Sequence, residues 1–361
     1  MDKQSLKEFF TGKKVLITGH TGFKGGWLTQ MLLELGAHII GYSLKPNTVP
    51  NLFSILNLKD KIKNYFGDIA EYEKLFKVMM DEKPDIVFHL AAQPLVRDSY
   101  DDPLYTYRTN ILGTANVLQA IKNTSSVRVA VMITTDKVYE NKEWIWPYRE
   151  VDAIGSNPDP YSTSKACAEL VIQSYLKSFF DIENYNKTHS CLIASARAGN
   201  VIGGGDWAND RLVSDIIKNI FEKNKNIIIR SPDSIRPWQH VLEPLVGYLM
   251  LSKELYQSNK NFVGAWNFAP DENNHLTVKE LIEKSINILG KGSYSIKMDN
   301  KKHEAKLLKL DSTKSKTYLH WRPVLNMDET LTWTFEWYKN YYSNKNMLNF
   351  TKKQIETFLA R

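Results

Sequence analysis

Apolar positions along the chain fall into two rhythms. Short apolar runs, rich in β-branched residues, recur at 14–19 (KVLITG), 38–42 (HIIGY), 62–66, 84–93, 129–134 and 189–195. Each reads as a buried strand, since an unbroken apolar run suits a sheet covered on both faces. Between them come helical repeats, as at Leu28, Leu32, Leu33 and Leu35, and over 102–122 and 161–180. Strands alternating with helices predict an α/β fold: a doubly wound parallel sheet whose ligand lies at the strands' C-terminal ends. After about residue 200 the pattern loosens. Residues 213–226 predict a lysine- and asparagine-rich helix, and Arg230–His240 a loop joining a strand to a helix. Residues 301–309 predict a solvated strand face and 326–361 an amphipathic helical tail without chemistry. Two units follow: a sheet domain over 1–199 and a smaller lobe over 200–361, some of whose segments return to the sheet domain.

The first strand ends in Gly19-His-Thr21-Gly22-Phe23-Lys-Gly25, and a helix follows. Strand, glycine loop and helix together are the context of a Rossmann dinucleotide site. Gly19 permits the tight turn, Gly22 lets backbone approach a pyrophosphate, and Gly25 allows close helix–strand packing. The second strand should end in an acid that holds the adenosine ribose of NAD; Ser43 and Lys45 stand there instead, with no arginine to grip a 2′-phosphate. Asp68, before Ile69, follows the third strand and reads equally as an acceptor for the adenine amino group or as a helix cap. The fourth ends in Ala91-Ala92-Gln93, small enough for backbone to lie against a nicotinamide ribose.

The chemistry gathers at Asp159-Pro160-Tyr161-Ser-Thr-Ser-Lys165 and at Thr135-Asp136-Lys137. Asp159 suits a helix N-cap and Pro160 the first helical position, so Tyr161 and Lys165 share one helical face. A neighbouring ammonium should draw the phenol from roughly 10 towards working pH, fitting it to take a proton from a sugar hydroxyl. The Thr135–Lys137 charges end a buried strand, which places them in the cleft rather than on a solvated face. Glu143–Glu150 is aromatic-rich, either a wall over a sugar or core packing through Trp144 and Trp146.

Composition narrows the partners. The 361 residues are 43% hydrophobic and 24% charged, ordinary for a globular protein. The formal charge of +7 comes from lysines spread along the chain, which argues against nucleic acid and suits a small anionic substrate. No apolar run is long enough to span a bilayer, and the N-terminus lacks a signal-peptide core. Two cysteines, Cys167 and Cys191, with no Cys/His cluster, predict reduced thiols, a cytoplasmic location and no metal site.

Gly-x-x-Gly-x-x-Gly, His89-Leu-Ala-Ala, Thr109-Asn110 and Tyr-x-x-x-Lys resemble the extended short-chain dehydrogenase/reductases of the NAD-dependent epimerase/dehydratase family. More closely, GHTGFKG, HLAAQPLVR, TTDKVYENKEW, DPYSTSKACAEL, RAGNVIGGGDWANDRL, IRPWQHVLEPL and HEAKLLKLD look like the CDP-glucose 4,6-dehydratases, over residues 15 to about 325. Three positions depart from that pattern: Gly-Ser-Asn-Pro at 155–158, Pro147 and His320.

The resemblance implies a hydro-lyase that oxidises CDP-glucose at C4, eliminates water across C5 and C6, and returns hydride to C6. Tyr161 would be the base, Lys165 would stand behind it, and Thr135 would hydrogen-bond O4. Asp136 would be the acid, raised by burial, and Lys137 either the C5 base or an enolate stabiliser. NAD would lie against Gly19, Thr21, Gly22, Phe23, Gly25, Asp68, Ile69, Ala91, Ala92, Gln93, Asn110, Tyr161 and Lys165. Gln93, Asn200, Arg211 and Arg236 would meet the substrate, whereas Arg197 reads equally as a structural ion pair. The resemblance also implies a homodimer or dimer of dimers built from helices 102–122 and 161–180. It further points to a dideoxyhexose of a lipopolysaccharide O-antigen. A nucleotide-sugar 4-epimerase, or a dehydratase of another NDP-hexose, is the alternative.

Overall fold

The computed structural model describes residues 3–271, 275–297 and 308–361. Its strands in chain order are β1 (Lys14–Thr18), β2 (His38–Ser43), β3 (Lys63–Phe66), β4 (Ile86–His89), β5 (Val129–Ile133) and β6 (Leu192–Ala198). They continue as β7 (Asn200–Ile202), β8 (Ile227–Ile229), β9 (Ile235–His240), β10 (Gly264–Phe268), β11 (His275–Thr277) and β12 (Tyr294–Ile296). Seven form one parallel sheet in the order β10-β6-β5-β4-β1-β2-β3. The strand order reverses between β1 and β4, where Thr18 has Tyr42 on one side and His89 on the other. That crevice is the switch point where such sheets bind ligands. The expected doubly wound Rossmann sheet is present.

Alternation along the strands divides the core into two layers. In β5, Val129, Val131 and Ile133 join the layer containing Trp27, Leu245 and Trp337. Ala130 and Met132 of the same strand join Leu75, Val117 and Ile172 on the opposite face. The helices Phe23–Glu34 and Leu242–Tyr256 cover the first face; Tyr72–Glu82, Gly113–Lys122 and Pro160–Ser178 cover the second. No described helix is long and apolar enough to cross a membrane.

Several elements differ from the sequence reading. The long helix over 102–122 has a wide π-helical turn at Arg108–Leu112, between Pro103–Tyr107 and Gly113–Lys122. Such turns displace the residues they carry, here Thr109 and Asn110. The helix over 213–226 is likewise Leu212–Ile217 followed by a π turn, Lys218–Lys223. Arg230–His240 is not all loop, because Ile235–His240 forms β9 between β7 and β11. Pro237 made a strand hard to read there, since proline lacks the N–H of a sheet ladder. The tail is two helices, Met327–Tyr342 and Met347–Leu359, which bury Phe335, Trp337, Ile355 and Phe358. The strand face expected at 301–309 lies almost wholly outside the described residues. β10, late in the chain, returns to the sheet edge beside β6.

Candidate active site

The glycine loop is shaped by what it excludes. Gly19 has φ of +77°, and a Cβ there would meet Ala91 N at 2.6 Å. A Cβ on Gly25 would lie 2.1 Å from Gly19 O, so helix and strand approach only because this residue has no side chain. Gly22 caps the helix Phe23–Glu34 without a side-chain bond, and the first turn carries no acid. Unsatisfied N–H groups at this helix end suit a pyrophosphate. Thr21 Oγ1 bonds Ser43 Oγ at 2.9 Å and donates to Leu44 O at 2.9 Å, tying the loop to the end of β2. Phe23 is half-buried.

Other residues expected to hold a cofactor are committed internally. Asp68 Oδ1 accepts from Ala70 N at 2.9 Å, whereas the following helix is capped at Glu71. The helix-cap reading of Asp68 is therefore corrected: its carboxylate closes a turn ahead of the helix. Ile69 fills the space above Gly113, where a Cβ would meet its Cδ1 at 2.5 Å. Ala91 and Ala92 are half-buried at the end of β4. Asn110 Oδ1 accepts from Gln93 N at 2.9 Å, and its Nδ2 donates to Gln93 O at 3.0 Å and Ser164 Oγ at 2.8 Å. The Gln93 side chain donates to Thr106 Oγ1 and Leu95 O. Asn110 and Gln93 thus lock the β4 loop to the tyrosine helix.

The helix Pro160–Ser178 begins as its sequence predicts. Asp159 accepts from Ser162 N at 2.8 Å, and Pro160 takes the first position. Tyr161 and Lys165 are both buried on one face. Beside them, β5 delivers Thr135, whose hydroxyl donates to Asp136 Oδ1 at 2.8 Å. Asp136 opens a 3-10 turn, Asp136–Val138, and is buried; Lys137 is half-buried. The carbonyls of Lys137 and Tyr139 accept from Asn157 Nδ2 at 2.9 and 3.1 Å. Asn157, within the 155–158 stretch that departs from the family pattern, therefore anchors the segment that follows β5.

The electrostatics correct one expectation. Burial pushes the Tyr161 phenol up to about 12, and Asp136 adds to the rise; Thr135's hydrogen bond and the charge of Arg211 oppose it. Lys165, expected as the phenol's counter-charge, is itself shifted towards its neutral form. Burial lowers its ammonium to about 8, and it donates to Ile133 O at 3.2 Å. Desolvation outweighs the pair attraction. Asp136 behaves as expected, raised by burial against the opposing pull of Lys137, Thr135, Lys24 and Arg236. The sequence reading passed over Lys24. Burial lowers it to about 8, and it feels Arg211, Asp136 and Lys165. Its signal in the sequence is a lysine placed inside the glycine loop, between Phe23 and Gly25.

Arg211 and Arg236 reach the same cleft, one through Tyr161's field and the other through Asp136's. Arg211 Nε lies 3.5 Å from Asp206 Oδ2, and Asn200 opens β7 opposite Trp238. Arg197 is the structural ion pair of its two readings: its Nη2 donates to Glu169 Oε2 at 2.9 Å, both side chains buried. Trp144 stacks on Tyr148 with centroids 5.4 Å apart, whereas Trp146 is exposed.

The family profile described as GDP-mannose 4,6 dehydratase matches residues 16–334. The CDP-glucose 4,6-dehydratase of Salmonella typhimurium is 46% identical over 355 residues, covering 98% of each chain. The UDP-glucose 4-epimerase of Lactobacillus helveticus is 24% identical, covering 91% of this chain and 98% of its own. Among solved structures, DesIV (dTDP-glucose 4,6-dehydratase) from Streptomyces venezuelae, with NAD and TYD bound, superposes with a TM-score of 0.77. It is 22% identical and covers 93% of this chain and 99% of its own. With the profile matching residues 16–334 and a relative 46% identical over 98% of both chains, the chain belongs to the GDP-mannose 4,6 dehydratase family.

Proposed function

We propose that this chain is an NAD-dependent CDP-glucose 4,6-dehydratase. One juxtaposition carries the reading: Asp136 and Tyr161 are both buried, Thr135 acts on both and the Asp136 charge reaches the phenol, with Lys137 next in the chain. The nucleotide and sugar come from the relative that is 46% identical. A 4-epimerase needs the tyrosine but has no use for an acid and an amine beside it.

The glycine loop fits a dinucleotide, because a Cβ at Gly19 or Gly25 would fill the cradle and the helix end offers N–H groups without an acid. Gly19, Thr21, Gly22, Phe23 and Gly25 would hold it, with Ala91 and Ala92 beneath. Asp68, Ile69, Gln93 and Asn110 would shape its pocket from behind. NAD, when bound, accepts hydride from C4 and returns it to C6. Tyr161 takes the proton of the 4-hydroxyl, and Thr135 and Arg211 are the groups that favour its phenolate. Lys165, buried at the next turn of the helix, supports that exchange.

The resulting ketone acidifies the C5 proton. Lys137 takes that proton, or steadies the enolate while a water takes it, the C5 electron pair forms the C5–C6 double bond, and the C6–O bond breaks; once C6 has regained hydride, C5 regains a proton by the same route. Asp136, whose carboxyl burial shifts towards its protonated form, gives a proton to the departing oxygen, which leaves as water. Asn200, Arg211 and Arg236 would hold the substrate's pyrophosphate; guanidinium groups suit bidentate phosphate contact. Residues 1–199 would then be the NAD-binding domain and 200–361 the substrate lobe, β10 and the helix Leu242–Tyr256 returning to the sheet.

Exposed Leu104, Leu112 and Leu170 on the helices around the tyrosine support a homodimer or dimer of dimers. The free thiols Cys167 and Cys191 support a cytoplasmic location. A 4-keto-6-deoxy product suits the making of a dideoxyhexose for a lipopolysaccharide O-antigen. The test is turnover of CDP-, GDP- and dTDP-glucose with NAD in deuterium oxide, followed by NMR. Loss of the 6-hydroxyl with deuterium at C5 is expected from CDP-glucose. Inversion at C4 without C5 exchange would mark an epimerase instead.

A further inference from the structure

The reactive segment is six residues, 134–139, between the end of β5 and the roof, and both of its ends are tied to one buried ion pair. At the start, Thr134 Oγ1 donates to Glu169 Oε1 at 2.5 Å. At the end, the Tyr139 hydroxyl accepts from Arg197 Nη1 at 2.8 Å and donates to Asn267 Oδ1 at 2.8 Å. Arg197 closes the link with Nε and Nη2 each 2.9 Å from the Glu169 carboxylate, which also accepts from Ser195 Oγ at 2.9 Å. Arg197 and Glu169 are each 1% exposed, and Tyr139 and Asn267 are fully buried.

Position on the helix adds to this. Glu169 follows Lys165 by four residues, as Lys165 follows Tyr161, so all three share one face. The pair therefore joins the tyrosine helix, the end of β5, β6 through Ser195 and Arg197, and β10 through Asn267. A fully desolvated ion pair is weak evidence of stabilisation, because apolar residues of similar volume hold strands together as well or better. It supplies direction instead: every hydroxyl it meets is held at one angle. Elimination makes that demand, since Asp136 must face the C6 oxygen while its chain neighbour faces C5, and misplacement by about 1 Å can cost a hundredfold in rate.

We propose that Thr134, Tyr139 and the Arg197–Glu169 pair are positioning residues for the elimination step, acting through the 134–139 segment rather than by touching the sugar. This rests on the dehydratase reading above. Oxidation depends on Tyr161, held by its own helix, and on Thr135 alone of the clamped segment; elimination needs both Asp136 and Lys137 aimed by it.

Tyr139→Phe and Thr134→Val each remove one hydroxyl bond at nearly constant volume. The holoenzyme is mixed with CDP-glucose in a single turnover, following reduced-nicotinamide absorbance for oxidation and deuterium uptake at C5 for elimination. In both variants KM should stay within about twofold of wild type, and oxidation, which uses only Thr135 of the segment, should slow by no more than about threefold. Elimination should slow roughly tenfold or more, so that the reduced cofactor builds up. Equal slowing of both phases, or no slowing of elimination, overturns the proposal even if melting temperature drops. If the wild-type holoenzyme itself forms no 4-keto product, the dehydratase reading fails and takes the clamp's role with it.

Discussion

The glycine loop and the end of β5 face each other across one cleft, yet they are built on opposite principles. The loop works by exclusion: Gly19, Gly25 and Gly41 have neighbours at 2.1 to 2.6 Å from where a Cβ would sit. Beneath it, His89 of β4 bonds Thr18 at 2.7 Å and Thr114 at 3.2 Å and is held well below the usual imidazole range by burial; Lys24 is the loop's charged exception. The β5 side works by confinement of charge. Asp136, Lys165 and Tyr161 are all displaced towards their neutral forms by burial. Van der Waals overlap is insensitive to pH and punishes added atoms; desolvated charge is sensitive to pH and punishes lost function more than lost fold.

Four experiments press on that contrast. Asp136→Asn keeps shape and removes the acid, so dehydration should fall roughly 10²- to 10⁴-fold while stability to urea changes by less than about 0.5 kcal/mol. Comparable loss of fold would make this side structural. Gly25→Ala should do the reverse. A methyl driven into the Gly19 carbonyl should cost about 2–3 kcal/mol and weaken NAD binding at every pH, read by urea denaturation and cofactor titration. An alanine variant that binds NAD normally would break the exclusion account.

The third experiment uses pH. Lys165 falls from 10.5 to about 8, so between those values the unfolded chain binds the proton that the folded chain has released. Stability from this group therefore rises with pH across that window. Between pH 8 and 10, wild type should gain on the order of 2 kcal/mol relative to Lys165→Met in urea unfolding. A flat difference would place the ammonium in water. The smallest effect belongs to Asp159→Ala, which strips the cap from the tyrosine helix at Ser162 N and should cost about 1 kcal/mol. A rate loss far larger than that would mean the cap also aims Tyr161.

Much of this arrangement was legible in the residues because it is local. Asp159-Pro160 states where a helix starts, Gly19-x-x-Gly22 where a strand turns into one, and runs such as 129–134 can only be covered strands. Elsewhere the reading failed for identifiable reasons. The hydrogen bonds between Asn110, in the π turn, and Gln93 were not legible, because they join residues 17 apart. Pro237 disguised β9. The Tyr161–Lys165 spacing placed the two residues on one face but said nothing about how dry that face would be.

The sequence alone therefore determined the sheet, its glycine loop and which candidate side chains end β5 and open the tyrosine helix, since each depends on neighbours within one or two turns of chain. Only the tertiary structure decided how those side chains are tuned and aimed. Burial depends on what distant segments cover, and the links from Thr134 and Tyr139 to Glu169, Arg197 and Asn267 span 35 to 128 residues of chain.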